Sequence, residues 1–344
     1  IHIILRGGLL AIVCTLLSVV WVNDPMLPAG ELSGQWAYLA KAAMGAATGL
    51  LLLAFVYYKK RYDMGRDFYQ VVVWSLIALA ASEAVYGLRQ LYGFTSSHHS
   101  LYSLTGSFFN PGPYSGYLAM VFPLCLDQWL KLRKRINKNW IEWTGYYGTL
   151  AVLFLILCVL PAGMSRSAWL AAIVSGIWVY GVHKSWPVHL KRIWMRKKAK
   201  MIAIASALCI VVLVGGVCLF YLKKDSASGR LFMWKISTQA VMEKPFTGYG
   251  QGSFALAYGT AQETYFAKGD YSLREELVAG SPEYAFNEYL QIAVERGIPV
   301  LFCFLAFVGF CLWRGVGLKR LGACGGIISL LVFAFSSYPM QLPA

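Results

Sequence analysis

Arg166 is the first residue whose type and position could do chemistry. It follows the short turn Gly163-Met164-Ser165 and begins an apolar run, with small neighbours that would let a ligand approach. A guanidinium is planar and permanently charged, which suits the binding of phosphate or pyrophosphate. The alternative is an arginine whose head group only reaches the lipid surface. We expect Arg166 to bind an anion.

A second candidate is the stretch from Gly106 to Tyr117, which leads into another apolar run. Asn110 can cap a helix there, with Pro111 or Pro113 in its first turn. That structural role is sufficient by itself, although exposed amides at a helix start also attract anions. His98 and His99 precede the stretch; adjacent histidines in a polar loop are usually solvated, and a catalytic role stays open.

The sequence does not support a metal site, a hydrolase nucleophile or a nucleotide site. There is no G-x-S-x-G, P-loop or H-E-x-x-H motif, and no carboxylate–histidine cluster at helical spacing, so neither a metal nor another cofactor is expected. The glycines of residues 248–252 do not follow a strand, which makes a dinucleotide site implausible. The 8 cysteines lie in or beside apolar runs without metal spacing.

The elements that must position these residues are membrane spans. The chain of 344 residues is 58% hydrophobic and only 14% charged, which excludes an ordinary soluble domain. Its +15 net charge is concentrated in short loops, so we expect no nucleic-acid partner. The sequence predicts an all-α, polytopic membrane protein of about nine spans: 7–22, 37–58, 68–91, 113–130, 144–162, 166–183, 201–222, 297–313 and 321–337.

Charge distribution orients these spans. The loops after the second, fourth, sixth and eighth spans are basic, which predicts that they face the cytoplasm. Residues 223–296 then form one large outer loop, and long loops in compact proteins usually carry function. We expect it to contain a helix capped near Ser228 or Gly229, a tight turn at residues 248–252, and a second helix from Tyr284 to Arg296. Residues 1–344 are predicted to be one polytopic membrane domain, a fragment of a longer chain.

Four segments, in order, resemble one family. Residues 106–118 are similar to its "G-T-F-x-N-P-N … G-Y-L" motif, and residues 165–169 to "S-R-G-A-W/L". Residues 229–254 resemble "R-x-x-x-W … P-x-x-G-x-G-x-G-x-F", and residues 287–297 resemble "H-N-E-Y-L-Q … E-x-G". The region 100–315 therefore resembles the O-antigen ligase/O-antigen polymerase superfamily, with its Wzy-type C-terminal domain.

The resemblance implies a GT-C-like glycosyltransferase of the bacterial inner membrane, with its active face and large loop in the periplasm. Its donor would be a glycan on undecaprenyl pyrophosphate in the membrane lipid. Its acceptor would be lipid A-core, a growing glycan or a protein hydroxyl. By position, Arg166 and Arg230 would bind the donor pyrophosphate. Asn287 would lie in the catalytic segment, and the supporting residues would be Asn110, Ser165, Trp234, Gly250 and Gly252.

One departure affects the chemistry. The family's catalytic histidine precedes the Asn of "H-N-E-Y-L", and here that position is Phe286. A phenyl ring cannot accept a proton, so the base would be Glu283, Glu288 or one of the two loop histidines. Otherwise the arginines and acceptor positioning suffice, or the chain catalyses a variant reaction or none. A non-catalytic scaffold, a protein O-oligosaccharyltransferase and a transporter or flippase of lipid-linked sugars remain as alternatives. A transporter should show paired sites at mid-membrane, which the sequence does not suggest.

Overall fold

A computed structural model of the chain describes residues 2–22, 31–134, 139–186, 188–189, 194–199, 202, 206 and 224–343. Across these ranges the regular secondary structure is helical, without strands. The α-helices are α1 (His2–Leu17), α2 (Ser33–Lys60), α3 (Met64–Leu91), α4 (Pro111–Leu132), α5 (Trp140–Val159), α6 (Arg166–His183), α7 (Lys224–Glu243), α8 (Phe254–Ala267), α9 (Leu273–Val278), α10 (Glu288–Arg296), α11 (Ile298–Gly317) and α12 (Leu321–Ala334). Two short 3-10 helices, Ser18–Trp21 and Pro339–Gln341, follow α1 and α12.

The helices agree with a polytopic membrane protein. Five of the described helical segments are long and apolar enough to cross a membrane: His2–Trp21, Ser33–Lys60, Met64–Leu91, Trp140–Val159 and Ile298–Gly317. The shorter apolar helix Leu321–Ala334 matches the last predicted run. Helices α4 and α6 coincide with the fourth and sixth predicted runs. The prediction of an all-α membrane protein is confirmed, whereas the seventh run, 201–222, lies almost wholly outside the described residues.

The chain divides into two compact units. The first contains Ile1–Val179, Arg314–Phe333 and Pro339–Ala344, and the second contains Tyr180–Trp313 and Ala334–Tyr338. The core of the first unit includes the fully buried Tyr114, Leu118 and Ile156. That of the second includes Phe232, Ile236, Phe254 and Val294. Each unit thus has its own apolar core, while the extent of the outer loop, 223–296, stays a prediction.

In the first unit, the loop before α4 is fixed to α3 by two buried polar side chains. Glu83 is 1% exposed and accepts hydrogen bonds from the amide and the hydroxyl of Ser107, at 3.0 and 2.7 Å. Gln90 accepts from the amides of Thr105 and Gly106, at 2.9 and 2.8 Å. Buried polar groups need such partners, so each bond both satisfies the side chain and immobilises the loop.

Buried charge also joins helices at the other end of this unit. Asp127 in α4 is fully buried and accepts a hydrogen bond from Lys131, one turn later, at 2.7 Å. The Lys131 ammonium also donates to the backbone oxygen of Lys319, just before α12, at 3.4 Å. Pairing with a cation lowers the cost of burying the Asp127 carboxylate, so the ion pair stabilises the packing of α4 against the start of α12.

Two expected helix starts were wrong. Helix α7 begins at Lys224, upstream of the cap expected at Ser228 or Gly229. The Ser228 hydroxyl accepts a hydrogen bond from Arg274 at 2.6 Å, so it is engaged by a neighbouring segment. Helix α10 begins at Glu288 because Asn287 caps it and Phe286 has φ +47°, outside the helical region.

Candidate functional site

In the second unit, an aromatic cluster surrounds the position where the family pattern has its histidine. We define the Phe286 cluster as Arg230, Tyr284, Phe286 and Tyr338. The Arg230 guanidinium carbon lies 5.4 Å from the centroid of the Phe286 ring. Phe286 meets Tyr338 edge to face at 4.9 Å, and Tyr284 stacks on Tyr338 at 5.0 Å. A cation over an aromatic face is attracted by the ring quadrupole, so Arg230 is oriented by the ring that replaces histidine.

The backbone at Phe286 is held in an unusual conformation. Its φ of +47° is rare for a bulky residue and costs about 1–2 kcal/mol. The residue after Phe286 is fixed by hydrogen bonds. Asn287 accepts hydrogen bonds from the amides of Tyr289 and Leu290, at 3.0 and 3.1 Å, and so caps α10. Strain of this kind, held in place by its surroundings, is concentrated at functional sites.

Buried hydrogen bonds of Gln291 fix Ala285, the residue before Phe286. Gln291 is 3% exposed and accepts a hydrogen bond from the amide of Ala285 at 2.7 Å. Its own amide nitrogen donates to Glu295, also in α10, at 2.9 Å. The glutamine and glutamate of the "N-E-Y-L-Q … E" pattern therefore hold the loop that presents Phe286. Sequence analysis did not predict this role for either residue.

The glycine turn at residues 248–252 fastens the other end of α10. The amides of Tyr249 and Gly250 donate to the backbone oxygens of Val294 and Glu295, at 2.9 and 2.8 Å. A Cβ at Gly248 would lie 2.4 Å from the Glu295 carbonyl carbon, so only glycine permits this approach. Gly250 and Gly252 have open space around them but positive φ values of 108° and 73°. The predicted tight turn is confirmed, and its glycines position α10.

Trp234 lies one turn after Arg230 on α7. Its ring meets Phe335 edge to face at 5.3 Å. Its buried indole N–H has no hydrogen-bond partner among the described residues. A buried donor of this kind costs free energy unless a partner satisfies it. The supporting role expected of Trp234 beside Arg230 stays a prediction.

The titratable groups in and beside the Phe286 cluster differ in how deeply they are buried. Burial raises the pKa of Tyr338 to about 12, while the charge of Arg230 opposes the shift. Burial, followed by the charge of Glu283, also raises the pKa of Tyr284. Both hydroxyls are consequently neutral near pH 7 and serve as hydrogen-bonding groups. Glu283 is exposed beside them, whereas Glu288 is 1% exposed in the first turn of α10.

In the first unit, Arg166 is the first residue of α6 and is half-buried. The turn before it packs against α4, because a Cβ at Gly163 would lie within 2.1 Å of the Ser115 hydroxyl. Met164 has φ +50°, and the hydroxyls of Ser165 and Ser167 are 3.3 Å apart. The expected position of Arg166, directly after a tight turn, is confirmed, whereas its role as an anion ligand stays a prediction.

The remaining candidates of the first unit lie in structural positions. Asn110 caps α4 and accepts from the Gly112 amide at 2.9 Å, with Pro111 as the first helical residue, as predicted. His98 is exposed in the loop before α4. In the described part of the chain, no three His, Cys, Asp or Glu residues lie close enough to hold a metal ion.

Sequence reasoning missed Tyr338. It lies after the last apolar run, and its contacts with Tyr284 and Phe286 join segments about fifty residues apart. A conspicuous aromatic at the end of a span was the only available signal, and in membrane proteins such residues are common at the interface.

Comparison with known proteins gives one family. Residues 151–305 match the family model described as O-Antigen ligase (Wzy_C), a little under half of the chain. This match confirms the resemblance to the O-antigen ligase/polymerase superfamily and supports a glycan-transferring role in bacterial polysaccharide biosynthesis. A search of curated proteins finds no match. The matched region contains Arg166, Arg230 and the α10 segment.

Proposed function

We propose that this chain, whose residues 151–305 match the O-antigen ligase family, transfers a glycan from undecaprenyl pyrophosphate to an acceptor at the periplasmic face of the inner membrane. The observation that carries the proposal is the position of Arg230 over the ring of Phe286, where the family has its catalytic histidine. The acceptor is lipid A-core or a growing polysaccharide, as in a ligase or polymerase.

Charge development explains why arginines are needed. In the transfer, an acceptor hydroxyl attacks the anomeric carbon while the bond from that carbon to the pyrophosphate oxygen breaks. The leaving pyrophosphate gains negative charge, and a fixed guanidinium stabilises that charge better than water does. Arg230 supplies one such cation in the second unit, and Arg166 supplies another from the start of α6.

The proton of the acceptor hydroxyl requires a base. Phe286 cannot accept it, and the two neighbouring tyrosines are neutral, so we assign the proton to Glu283. Its carboxylate is exposed and lies close enough to Tyr284 and Tyr338 for its charge to raise their pKa values. Glu288, the other carboxylate candidate, is 1% exposed at the start of α10, so an acceptor hydroxyl has less access to it. The proposal therefore assigns the general base to Glu283, which precedes the position of the family's histidine in the same loop.

Transfer assays on membranes with lipid-linked glycan supplied test the arginines. Each charge-assisted bond to the leaving group is worth about 1.5–3 kcal/mol, so Arg230→Ala should slow transfer about 10–150-fold. Arg230→Lys should recover only part of this loss, because an ammonium lacks the planar two-pronged geometry. Arg274→Ala is the matched control, since Arg274 is an exposed arginine of the same unit that bonds to Ser228.

Two results would contradict the donor-site proposal. Equal transfer rates for Arg230→Ala and Arg274→Ala would show that Arg230 is not a ligand of the leaving group. Near-normal transfer by Arg166→Ala would reduce that residue to an interfacial arginine. Glu283→Gln should abolish most transfer at neutral pH, and an unchanged rate would remove Glu283 as the base.

Deletion of the gene with glycan profiling identifies the acceptor. Loss of polysaccharide from lipid A-core indicates a ligase, and accumulation of single repeat units indicates a polymerase. Loss of glycan from proteins alone would show a protein O-oligosaccharyltransferase and contradict the acceptor that we propose. Donor retained on the cytoplasmic face would indicate a flippase and contradict the transferase function itself.

A further inference from the structure

A pocket in the first unit has no role in the proposed donor chemistry. Its volume is about 250 Å³. It lies between the 3-10 turn after α1, the start of α2 and the loop before α4, and Leu342 and Pro343 also line it. By the charge pattern of the loops, this end of the helices faces outward. The volume is below the roughly 300–1,000 Å³ typical of drug-sized ligands, so the pocket suits a single ring-sized group.

Aromatic rings form much of its wall. Trp21, Tyr86, Phe108 and Phe109 line the pocket. Phe108 is 7% exposed and packs against the rings of Tyr114 and Tyr117, whereas Trp21 is 57% exposed. The Trp21 indole also hydrogen-bonds to Glu83, which restrains the ring. The wall therefore combines a fixed aromatic base with an accessible indole.

Neutral hydrogen-bonding groups complete the lining. Gln35 donates through its amide nitrogen to the Val22 oxygen at 3.0 Å, which leaves its carbonyl oxygen as an acceptor. Ser107 donates its hydroxyl proton to Glu83 at 2.7 Å, so its lone pairs can accept from a ligand. His98 adds a ring that can donate or accept. Among the described residues that line the pocket there is neither lysine nor arginine, which disfavours phosphate.

This combination fits the surface of a sugar ring. A pyranose has an apolar face of C–H groups, which packs against an aromatic face, and a rim of hydroxyls that need both donors and acceptors. The Glu83 and Gln90 hydrogen bonds hold the loop before α4 in place, so the site is formed before a ligand arrives. Preorganisation of this kind lowers the entropy lost on binding.

We propose that the pocket formed by Trp21, Gln35, Ser107 and Phe108 binds one neutral saccharide ring, as a glycan subsite separate from the cations that hold the donor pyrophosphate. The identification of a glycan as the natural source of that ring rests on the proposed function. The binding chemistry does not, because it follows from the lining alone.

Saturation-transfer NMR on the full chain purified in detergent tests the site. The probes are the methyl glycosides of glucose, galactose and N-acetylglucosamine. We expect transfer to the ring C–H protons of at least one probe, and loss of that transfer in Trp21→Ala and in Gln35→Ala. Trp36→Ala is the matched control, since Trp36 is an exposed tryptophan of the same helix as Gln35 and does not line the pocket. It should bind as the unsubstituted chain does.

The outcomes separate this proposal from the donor chemistry. Absence of transfer to all three probes, or equal transfer in Trp21→Ala and Trp36→Ala, would overturn the pocket. Displacement of the bound glycoside by inorganic phosphate would show an anion site and overturn it as well. Should Trp21→Ala fail to fold, Gln35→Ala carries the same test. Arg230→Ala should retain saccharide binding although its glycan transfer is slowed. Normal transfer by that variant would contradict the proposed function and leave the saccharide site unaffected.

Discussion

Gly248 offers the sharpest test of how α10 is positioned. In Gly248→Ala the new Cβ would lie 2.4 Å from the Glu295 carbonyl carbon and 2.5 Å from the Arg296 nitrogen. Both are backbone atoms, so no side-chain rotation relieves the clash. The residue would also retain φ +66°, a left-handed conformation that costs an L-residue about 1–2 kcal/mol. Overpacking adds about 1–3 kcal/mol, which gives about 2–5 kcal/mol in all.

The expected result is a lower thermal midpoint. At about 2–4 °C per kcal/mol for a unit of this size, Gly248→Ala should unfold roughly 4–20 °C below the unsubstituted chain. Near-ultraviolet circular dichroism in detergent, at one fixed scan rate, measures the difference. Gly259→Ala is the matched control, since Gly259 lies inside α8 with nothing within 4 Å of a new Cβ. That variant should gain up to about 1 kcal/mol from helix propensity.

The Gly248→Ala substitution should also alter the geometry of the candidate functional site. Glu295 bonds to Gln291, and Gln291 bonds to the amide of Ala285, so a displaced Glu295 moves the residue next to Phe286. Glycan transfer by Gly248→Ala should therefore fall at temperatures where the protein is still folded. Equal midpoints and equal transfer in the two alanine variants would refute the argument that this contact positions α10.

Three further predictions concern charge and the Phe286 position. The hydrogen bond from Lys235 lowers the pKa of Glu275 to about 2, so this carboxylate stabilises the fold above its unfolded pKa of about 4.3. That contribution is lost as the pH falls towards 2, and the gap in thermal midpoint between the unsubstituted chain and Glu275→Gln should close over this range; a constant gap would contradict the pairing. Phe286→His should be tolerated, because histidine accepts positive φ more readily, and should increase transfer with a new pH dependence in the rate profile. Unchanged transfer in that variant would argue against chemistry at this position. Lys131→Met removes the ammonium that bonds to the buried Asp127 carboxylate and should lower stability by about 1.5–3 kcal/mol, whereas the exposed Lys134→Met should have little effect on the thermal midpoint.

Much of the fold was predictable because its signals are local. The run 166–183 predicted α6 to the residue, since hydrophobic length and a preceding glycine turn define that helix within a few residues of chain. Asn110 was predicted as a cap from its own side chain and the prolines that follow it. The glycine spacing at residues 248–252 likewise predicted a tight turn, because only glycine adopts these positive φ values at low cost.

The composition of the candidate site depended on tertiary structure. The resemblance identified Arg230 and the substitution at Phe286, but the partners of these residues come from distant segments. Tyr338 reaches the cluster from beyond the last apolar run, and packing alone brings it there. The predicted start of α7 was wrong for the same reason. The Ser228 hydroxyl, expected to cap the helix, instead accepts a hydrogen bond from the distant Arg274. Caps, turns and apolar length are short-range properties that a sequence encodes directly, whereas the ring contacts and buried hydrogen bonds around Phe286 exist only once separate segments pack together.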